Sequence, residues 1–222
     1  MVGEIHCFSR WMTVRFSSPF RCVSWAVVNG GVVLSDVVAW RFLELNEIEH
    51  FDDVRAWFRE RLREDDLERA VGLLTSRRLH RYVESGDDEC HVVATVGLSN
   101  ALAAGDPVVA AARAGTINIL CAVAAPLTAE ASLEALALAA EARTAAMLEA
   151  QVSSRASGRL ASGTGTDCIV IAAPAGAAGA AYAGKHTAIG HVIGAAVHEA
   201  TRRGVEDWLR EWGGRAVGRG AR

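Results

Sequence analysis

The sequence lacks the patterns that define several large classes of protein. No uninterrupted apolar stretch in its 222 residues approaches the ~20 residues that a membrane-spanning helix needs. There is no block of like charge typical of a disordered tail, and the first residues have neither the basic start nor the apolar run of a signal peptide. We therefore expect a soluble, cytoplasmic protein without a membrane partner.

Charge and cysteine usage exclude further classes. Lys and Arg number 23 against 26 Asp and Glu, which gives a net charge of -3, whereas nucleic-acid binders usually carry a basic stripe. The five cysteines include no pair at zinc-site or CxxC spacing. Cys90, Cys121 and Cys168 lie in or beside apolar runs, where a free thiol packs as a small hydrophobe. We expect no nucleic-acid partner and predict reduced core thiols.

The order of predicted elements indicates a single α+β domain over residues 1–212, followed by a flexible tail at 213–222. Strands are predicted where apolar and β-branched residues cluster, at 11–16, 23–28, 32–34, 71–75, 90–96, 116–123 and 167–172. Helices are predicted at 51–66, at 129–151 with Thr128 as N-cap, and at 187–203, with a break at Gly204 before a short helical piece ending near Trp212. Asn29-Gly30 predicts a tight hairpin. Because most strands precede the main helices, we expect a mixed, largely antiparallel sheet packed against several helices.

The stretch from Gly163 to His191 has the strongest local signal for function. Two polar, glycine-containing segments flank the short apolar strand 168–172. Glycines let the backbone approach a ligand closely, and threonine hydroxyls both donate and accept hydrogen bonds. Turn formation explains the glycines equally well, but Lys185 beside His186 at the start of a helix favours a functional site.

Residues 179–185 have the spacing of a phosphate-binding P-loop between a strand and a helix. The residue after Lys185 is His186, however, where Mg²⁺ binding needs a Ser or Thr hydroxyl. Thr187 comes one residue late and would point about 100° away on a helix. Nucleotide binding is therefore a minority hypothesis.

The histidines near this segment do not form a metal-site pattern. His191 and His198 share one helix face, whereas His186 and His191 diverge by about 140° if both are helical. His186 and His191 converge only if His186 lies in the loop before the helix. Since no HExxH or comparable motif is present, we predict no metal site.

Two more polar segments interrupt apolar strands, at 95–107 and at 115–118. Their polar residues have an alternative explanation, which is turn chemistry for Asn100 and a satisfied buried amide for Asn118. Together with the other motifs they nevertheless form a recognisable set.

The set resembles the adenosylcobinamide amidohydrolase family over nearly the whole chain, from about Ser18 to Trp212. The blocks that carry the resemblance are Gly115-Thr-Ile-Asn-Ile, Glu141-Ala-Arg-Thr-Ala-Ala, Gly163-Thr-Gly-Thr-Asp-Cys and Ala183-Gly-Lys-His-Thr-Ala-Ile-Gly-His191, supported by 95–107 and the Asn29-Gly30 hairpin. The blocks are specific in combination, though no single one suffices.

The resemblance implies hydrolysis of the amide that joins the corrin propionate to aminopropanol, with a corrinoid as substrate and no required cofactor. A flat macrocycle rimmed with carboxamides needs small residues beneath it and neutral hydrogen-bonding groups at its edge. We expect the binding residues to be Ser99, Asn100, Thr116, Asn118, Thr164 and Thr166.

Amide hydrolysis needs an attacking oxygen, a proton carrier and stabilisation of the oxyanion. The hypothesis assigns proton transfer to His186 or His191, with Asp167 orienting the imidazole or activating a water, and carbonyl polarisation to Lys185 and Asn118. A covalent route through Thr164, Thr166 or Cys168 ranks lower, because no nucleophile-elbow motif is present.

Two other functions remain open at this point. One is a non-catalytic corrinoid carrier or sensor, and the other is a nucleotide-dependent enzyme. The sequence also leaves the oligomeric state open, although small enzymes of this kind are often homodimers.

Overall fold

The computed structural model describes residues 3–44, 47, 53–109, 115–176 and 179–216. The strands are β1 (Glu4–Phe8), β2 (Trp11–Ser24), β3 (Gly31–Phe42), β4 (Val71–Thr75), β5 (Val83–Gly86), β6 (Cys90–Val96), β7 (Ala101–Leu102), β8 (Ile117–Val123), β9 (Gly163–Thr164) and β10 (Cys168–Pro174). The helices are α1 (Val54–Glu64), α2 (Ala129–Glu149) and α3 (Ala188–Ala216), with a 3-10 turn at Leu79–Arg81. The predicted α+β class is confirmed.

One eight-stranded sheet holds most of the strands, in the order β4-β3-β2-β10-β8-β6-β5 with β1 paired to β2. The β3–β4 and β8–β10 pairs are parallel, and the other pairs in this sheet are antiparallel. The prediction of a mixed, largely antiparallel sheet is therefore confirmed. A separate two-stranded ribbon joins β7 to β9 and thereby brings the 101–104 segment beside the 163–167 loop.

Strand β2 covers the predicted run 11–16, continues through Ser17-Ser-Pro-Phe20 and ends at Ser24, so the predicted strand 23–28 is wrong beyond its first two residues. The register against β3 shifts between Arg15 and Phe20, so Pro19 lies in an irregular stretch where a missing N–H costs no regular ladder bond. The Phe16 and Phe20 rings stack with their centroids 4.3 Å apart across this irregularity. Strands β1 and β5 were not predicted, because short, half-exposed strands carry little apolar periodicity.

The structure confirms that Asn29-Gly30 lies between two paired antiparallel strands, β2 and β3, but the connection is not the predicted tight turn. The last pair of the β2–β3 ladder is Ser24 with Gly31, so the connection spans residues 25–30 rather than two residues. Asn29 has the expected positive φ of 54°, and its Nδ2 donates to the carbonyls of Glu68 and Ala70. The longer loop leaves Trp25 at the end of β2.

The two faces of the sheet are covered differently. Alternate residues of β8 and β10, such as Ile119 and Ile171, pack against α2 and α3 on one face. The opposite face buries Leu120 and Val170 against residues of β2, β3 and β4, because the sheet curls over itself. The curl brings β4 to β8, where Asn118 Nδ2 donates to the Leu74 carbonyl at 2.7 Å.

Helix α3 runs through Gly204, so the predicted break there is wrong. Gly204 lies against β6, and a Cβ at this position would come within 2.4 Å of Val96 Cγ2. Glycine therefore permits close packing of α3 on the sheet instead of ending the helix. Buried Arg77 then fixes the later turns through ion pairs to Asp207 and Glu211, each at 2.6 Å.

Two glycines in the interior of α3 give opposite predictions for alanine substitution. We expect Gly204→Ala to lower the free energy of unfolding by about 1–3 kcal/mol, since the rigid Val96 side chain cannot move aside. We expect Gly194→Ala to raise it by about 0.5–1 kcal/mol, because its Cβ would meet nothing closer than Leu138 Cδ1 at 3.9 Å. Urea denaturation of both variants measures the difference, and destabilisation of equal size would contradict the packing role of Gly204.

The remaining helix predictions hold within a few residues. Thr128 is the N-cap of α2, where its Oγ1 accepts from Ala131 N at 3.1 Å. Within the part of the chain that the structure describes, no helix is long and apolar enough to cross a membrane. Helix α3 continues to Ala216 and covers the first four residues of the predicted tail at 213–222. Residues 217–222 lie outside the described residues, and for them the flexible tail stays a prediction.

Candidate functional site

Two open clefts lie beside α2. The first, which we call the carboxylate cleft, has a volume of about 340 Å³. Its lining residues come from the end of β2, the β7–β9 ribbon, α2 and the loop before β10, and they are Trp25, Leu102, Ala103, Ala104, Arg143, Ser162, Gly163, Thr164, Gly165 and Asp167. The cleft thus combines an apolar wall with a compact group of polar side chains, which is typical of small-molecule sites.

Asp167 is the centre of the polar group. Its Oδ1 accepts from Ile117 N at 3.0 Å and from the Thr164 hydroxyl, and its Oδ2 accepts from Thr164 N at 2.9 Å. Arg143 Nη1 donates to Oδ2 at 2.7 Å, and the Asp167 side chain is only 6% exposed. The carboxylate is therefore fixed in one orientation at the wall of the cleft.

Arg143 is held nearly as firmly as its partner. Its side chain is 13% exposed, and Nη2 donates to the Ser162 carbonyl at 3.2 Å and to Thr144 Oγ1 at 3.4 Å. Its buried Nε has no hydrogen-bond partner among the described residues. A guanidinium at the wall of the cleft is suited to stabilising negative charge.

The environment of Asp167 makes its carboxyl more basic than usual. Burial raises the pKa of Asp167, and the opposing attraction of Arg143 and the hydrogen bonds from Thr164 and Ile117 do not cancel that effect. A carboxylate with a raised pKa is a better proton acceptor near neutral pH. Asp167 therefore accepts a proton more readily than an exposed aspartate does.

Glycine is required at two positions around this carboxylate. A Cβ on Gly163 would lie 2.3 Å from Asp167 Oδ2 and 3.1 Å from Arg143 Cζ. A Cβ on Gly165 would lie 2.7 Å from Asn100 Nδ2. Gly163 thus lets the loop pass close to Asp167, and Gly165 lets it pack against Asn100.

The structure brings the other predicted binding segments against this loop. The Thr116 hydroxyl donates to the Thr166 carbonyl at 2.8 Å, the Thr166 hydroxyl donates to the Gly115 carbonyl at 3.3 Å, and Gly165 N donates to the Asn100 carbonyl at 3.1 Å. Ser99 is half-buried beside them. Of the six predicted binding residues, Thr164 lines the carboxylate cleft.

Asn118 has a structural place instead. It is 2% exposed, its Nδ2 donates to the Leu74 carbonyl, and its Oδ1 lies 3.4 Å from Thr116 Oγ1, whose single proton is directed mainly to the Thr166 carbonyl. The alternative of a satisfied buried amide describes this geometry. Its position does not support the hypothesis that it polarises a substrate carbonyl.

The second cleft, which we call the helix cleft, lies between α2 and α3 and has a volume of about 410 Å³. Its lining residues are Leu138, Ala142, Lys185, Gly190, His191, Gly194, Ala195 and His198. Lys185 Nζ forms an ion pair with Glu141, and His198 Nε2 lies 2.8 Å from Glu149 Oε2. Lys185 and His191 are exposed here, as is His186 in the preceding loop.

The four predicted catalytic residues therefore do not form one cluster. Asp167 lies in the carboxylate cleft, whereas Lys185 and His191 line the helix cleft. In the part of the chain that the structure describes, the hydrogen bonds of the Asp167 carboxylate come from Arg143, Thr164 and Ile117, and none comes from a histidine.

The P-loop hypothesis meets an electrostatic obstacle. Glu134 Oε2 accepts from Ala183 N at 2.7 Å, and Glu141 pairs with Lys185. Two carboxylates thus occupy the donors that a phosphate would need.

The covalent route through Cys168 is weakened as well, because burial raises the pKa of this thiol to about 12 and keeps it protonated.

Sequence reasoning missed Arg143 and Trp25 as site residues. Arg143 lies in the Glu141-Ala-Arg-Thr-Ala-Ala block, which supports the family resemblance but assigns this residue no role. Trp25 carried no signal, because nothing in the sequence shows that the end of β2 meets the 163–167 loop.

Within the described residues, no group of three or more His, Cys, Asp or Glu side chains is placed to hold a metal ion.

Comparison with known proteins agrees with the motifs. A family model described as CbiZ, adenosylcobinamide amidohydrolase, matches residues 2–212. A search of curated proteins found no match. Since the family match covers nearly the whole chain, it includes the carboxylate cleft and every motif discussed above. The chain therefore belongs to the adenosylcobinamide amidohydrolase family and is a hydrolase that acts on an amide bond.

Proposed function

We propose that the enzyme cleaves the amide between the corrin-ring propionate and aminopropanol of adenosylcobinamide in the carboxylate cleft. The products are adenosylcobyric acid and 1-aminopropan-2-ol, which return salvaged corrinoid to cobalamin synthesis. The observation that carries the proposal is the buried Asp167 carboxylate, fixed against Arg143 at the wall of an open cleft. The family match supports the substrate class.

The proposed reaction uses Asp167 as the proton carrier. The Thr164 hydroxyl lines the cleft and donates to Asp167 Oδ1, so it takes a proton from water and passes its own proton to Asp167 while the water oxygen attacks the amide carbon. The proton returns by the same route to the departing nitrogen as the C–N bond breaks. The Thr164 hydroxyl both donates and accepts, so it can adjust to either protonation state of the carboxyl. One carboxyl group thus serves as base and then as acid.

Arg143 supplies positive charge in this scheme. The tetrahedral intermediate carries a negative oxygen, and a guanidinium held in a partly buried site stabilises such charge without reorganising. The same guanidinium keeps Asp167 ionised enough to accept a proton. Lys185, His186 and His191 lie elsewhere, and in this proposal they contact the periphery of the broad corrinoid rather than the reacting amide.

The proposal is tested by incubating the protein with adenosylcobinamide and measuring the products by mass spectrometry. We expect equal amounts of adenosylcobyric acid and 1-aminopropan-2-ol to form without added nucleotide. Bound corrinoid with no released aminopropanol would instead favour the carrier or sensor. A strict requirement for ATP that vanishes in Lys185→Ala would favour the nucleotide-dependent alternative.

A further inference from the structure

Trp25 presents its indole ring to the carboxylate cleft rather than to the core. It is 49% exposed, although Trp11 and Trp40 are almost fully buried. Its exposed ring lines the carboxylate cleft together with Leu102 and the two alanines that follow it. An aromatic ring left open to solvent at a cleft wall costs hydrophobic free energy unless a ligand covers it.

The ring is also held in place. Its Nε1 donates to the Asp167 carbonyl, so the indole is tied to the backbone of the residue that carries the proposed catalytic carboxyl. This bond fixes the distance between the indole face and the polar group formed by Arg143, Thr164 and Asp167. A planar group resting on the indole would therefore stand at a defined position relative to the reacting amide.

We propose that Trp25 is the platform on which a flat, conjugated part of the substrate stacks, and that it sets substrate affinity rather than chemistry. This inference rests on the proposed function for the identity of the substrate. The substrate has two such parts, the corrin ring system and the adenine of the adenosyl ligand. Each of these parts presents a π-face to the indole, and stacking of this kind needs only a flat π-system.

The test compares Trp25→Leu, which removes the flat ring, with Trp25→Phe, which keeps a ring but loses the Nε1 donor. Affinities for adenosylcobinamide and for methylcobinamide, which has the same corrin ring with a small axial alkyl group and no adenine, are measured by equilibrium dialysis using corrin absorbance. We expect Trp25→Leu to weaken binding by about tenfold or more, in line with the loss of one stacking contact. Trp25→Phe should stay within about threefold of the wild type.

The two ligands separate the two sources of the π-face. Weakening for both corrinoids assigns the platform to the corrin, and weakening for adenosylcobinamide alone assigns it to adenine. Equal binding by Trp25→Leu and the wild type, or equal losses in Trp25→Leu and Trp25→Phe, would overturn the proposal. Far-UV circular dichroism checks folding, and Trp212→Leu, at the exposed end of α3, is the matched control.

Kinetics distinguish failure of this inference from failure of the proposed function. For Trp25→Leu we expect KM to rise by about the same factor as the dissociation constant while kcat changes little, since the platform does not touch the reacting atoms. If the wild type releases no aminopropanol, the proposed function fails, yet the dialysis experiment still decides whether Trp25 binds a corrinoid.

Discussion

Asp167→Asn is expected to lower kcat with adenosylcobinamide by about 10²- to 10⁴-fold, the range typical of losing a general acid–base. The asparagine keeps the size of the side chain and one carbonyl oxygen for Thr164 and Ile117, but it cannot accept the proton that Thr164 passes on. It also places an NH₂ group against both Arg143 Nη1 and Thr164 N and leaves the buried guanidinium without its counter-ion, so we expect the free energy of unfolding to fall by about 3–5 kcal/mol. Product formation is followed by mass spectrometry, and folding by circular dichroism.

The matched controls are His186→Ala and His191→Ala. Both histidines are exposed, and neither is bonded to Asp167 among the described residues. We expect each variant to keep kcat within a few-fold of the wild type. A histidine variant as inactive as Asp167→Asn would restore the hypothesis that an imidazole carries the proton, and an active Asp167→Asn would remove Asp167 from the chemistry.

Arg143→Met is expected to lower kcat/KM by about 10²- to 10³-fold, as when one donor to a developing oxyanion is removed. Methionine fills similar space without charge, so the change isolates the guanidinium. Arg143→Lys keeps the charge but loses the paired donors to Asp167 and Ser162, and we expect it to recover part of the activity.

The same variant predicts a change in pH dependence. Arg143 lowers the pKa of Asp167 against the larger effect of burial, so its removal raises that pKa further. A base must be deprotonated to act, and the acid limb of the kcat/KM profile therefore moves to higher pH in Arg143→Met. An acid limb at the wild-type pH would contradict the assignment of that limb to Asp167.

Stability provides an independent check with a defined sign. A carboxyl whose folded-state pKa is raised contributes stability at low pH that is lost as the pH rises through the folded pKa. In Arg143→Met the buried carboxylate lacks its counter-ion, so its destabilisation relative to the wild type is largest at neutral pH. Denaturant titrations at acidic and neutral pH measure this difference, which should shrink as the pH falls.

The sequence was sufficient for the class of fold and for the family. Nearly continuous apolar runs in β6, β8 and β10 predicted central strands within a residue or two, because strands that are buried on both faces are apolar and β-branched along most of their length. Thr128 marked the start of α2, since a cap is a local feature. The Gly163-Thr-Gly-Thr-Asp motif was recognised for the same reason, as its residues are adjacent in the chain.

Only the tertiary structure decided what these motifs contact. Gly204 indicates a helix end by propensity, yet its packing on Val96 keeps α3 continuous, because burial outweighs the intrinsic cost of one glycine. Periodicity places Asn118 on a strand face, but only the curl of the sheet gives its amide the Leu74 carbonyl as a partner.

In the stretch from Gly163 to His191, the sequence likewise locates the motifs and the tertiary structure decides what they contact. By itself the sequence located both Asp167 and the Lys185–His191 segment, and their closeness along the chain suggested one site. The fold places them in different clefts and gives Asp167 two distant partners, Arg143 from α2 and Trp25 from the end of β2. The Arg143–Asp167 ion pair joins residues 24 positions apart, and the Trp25–Asp167 hydrogen bond joins residues 142 positions apart. Both contacts depend on how the strands and helices pack, which no local sequence pattern encodes.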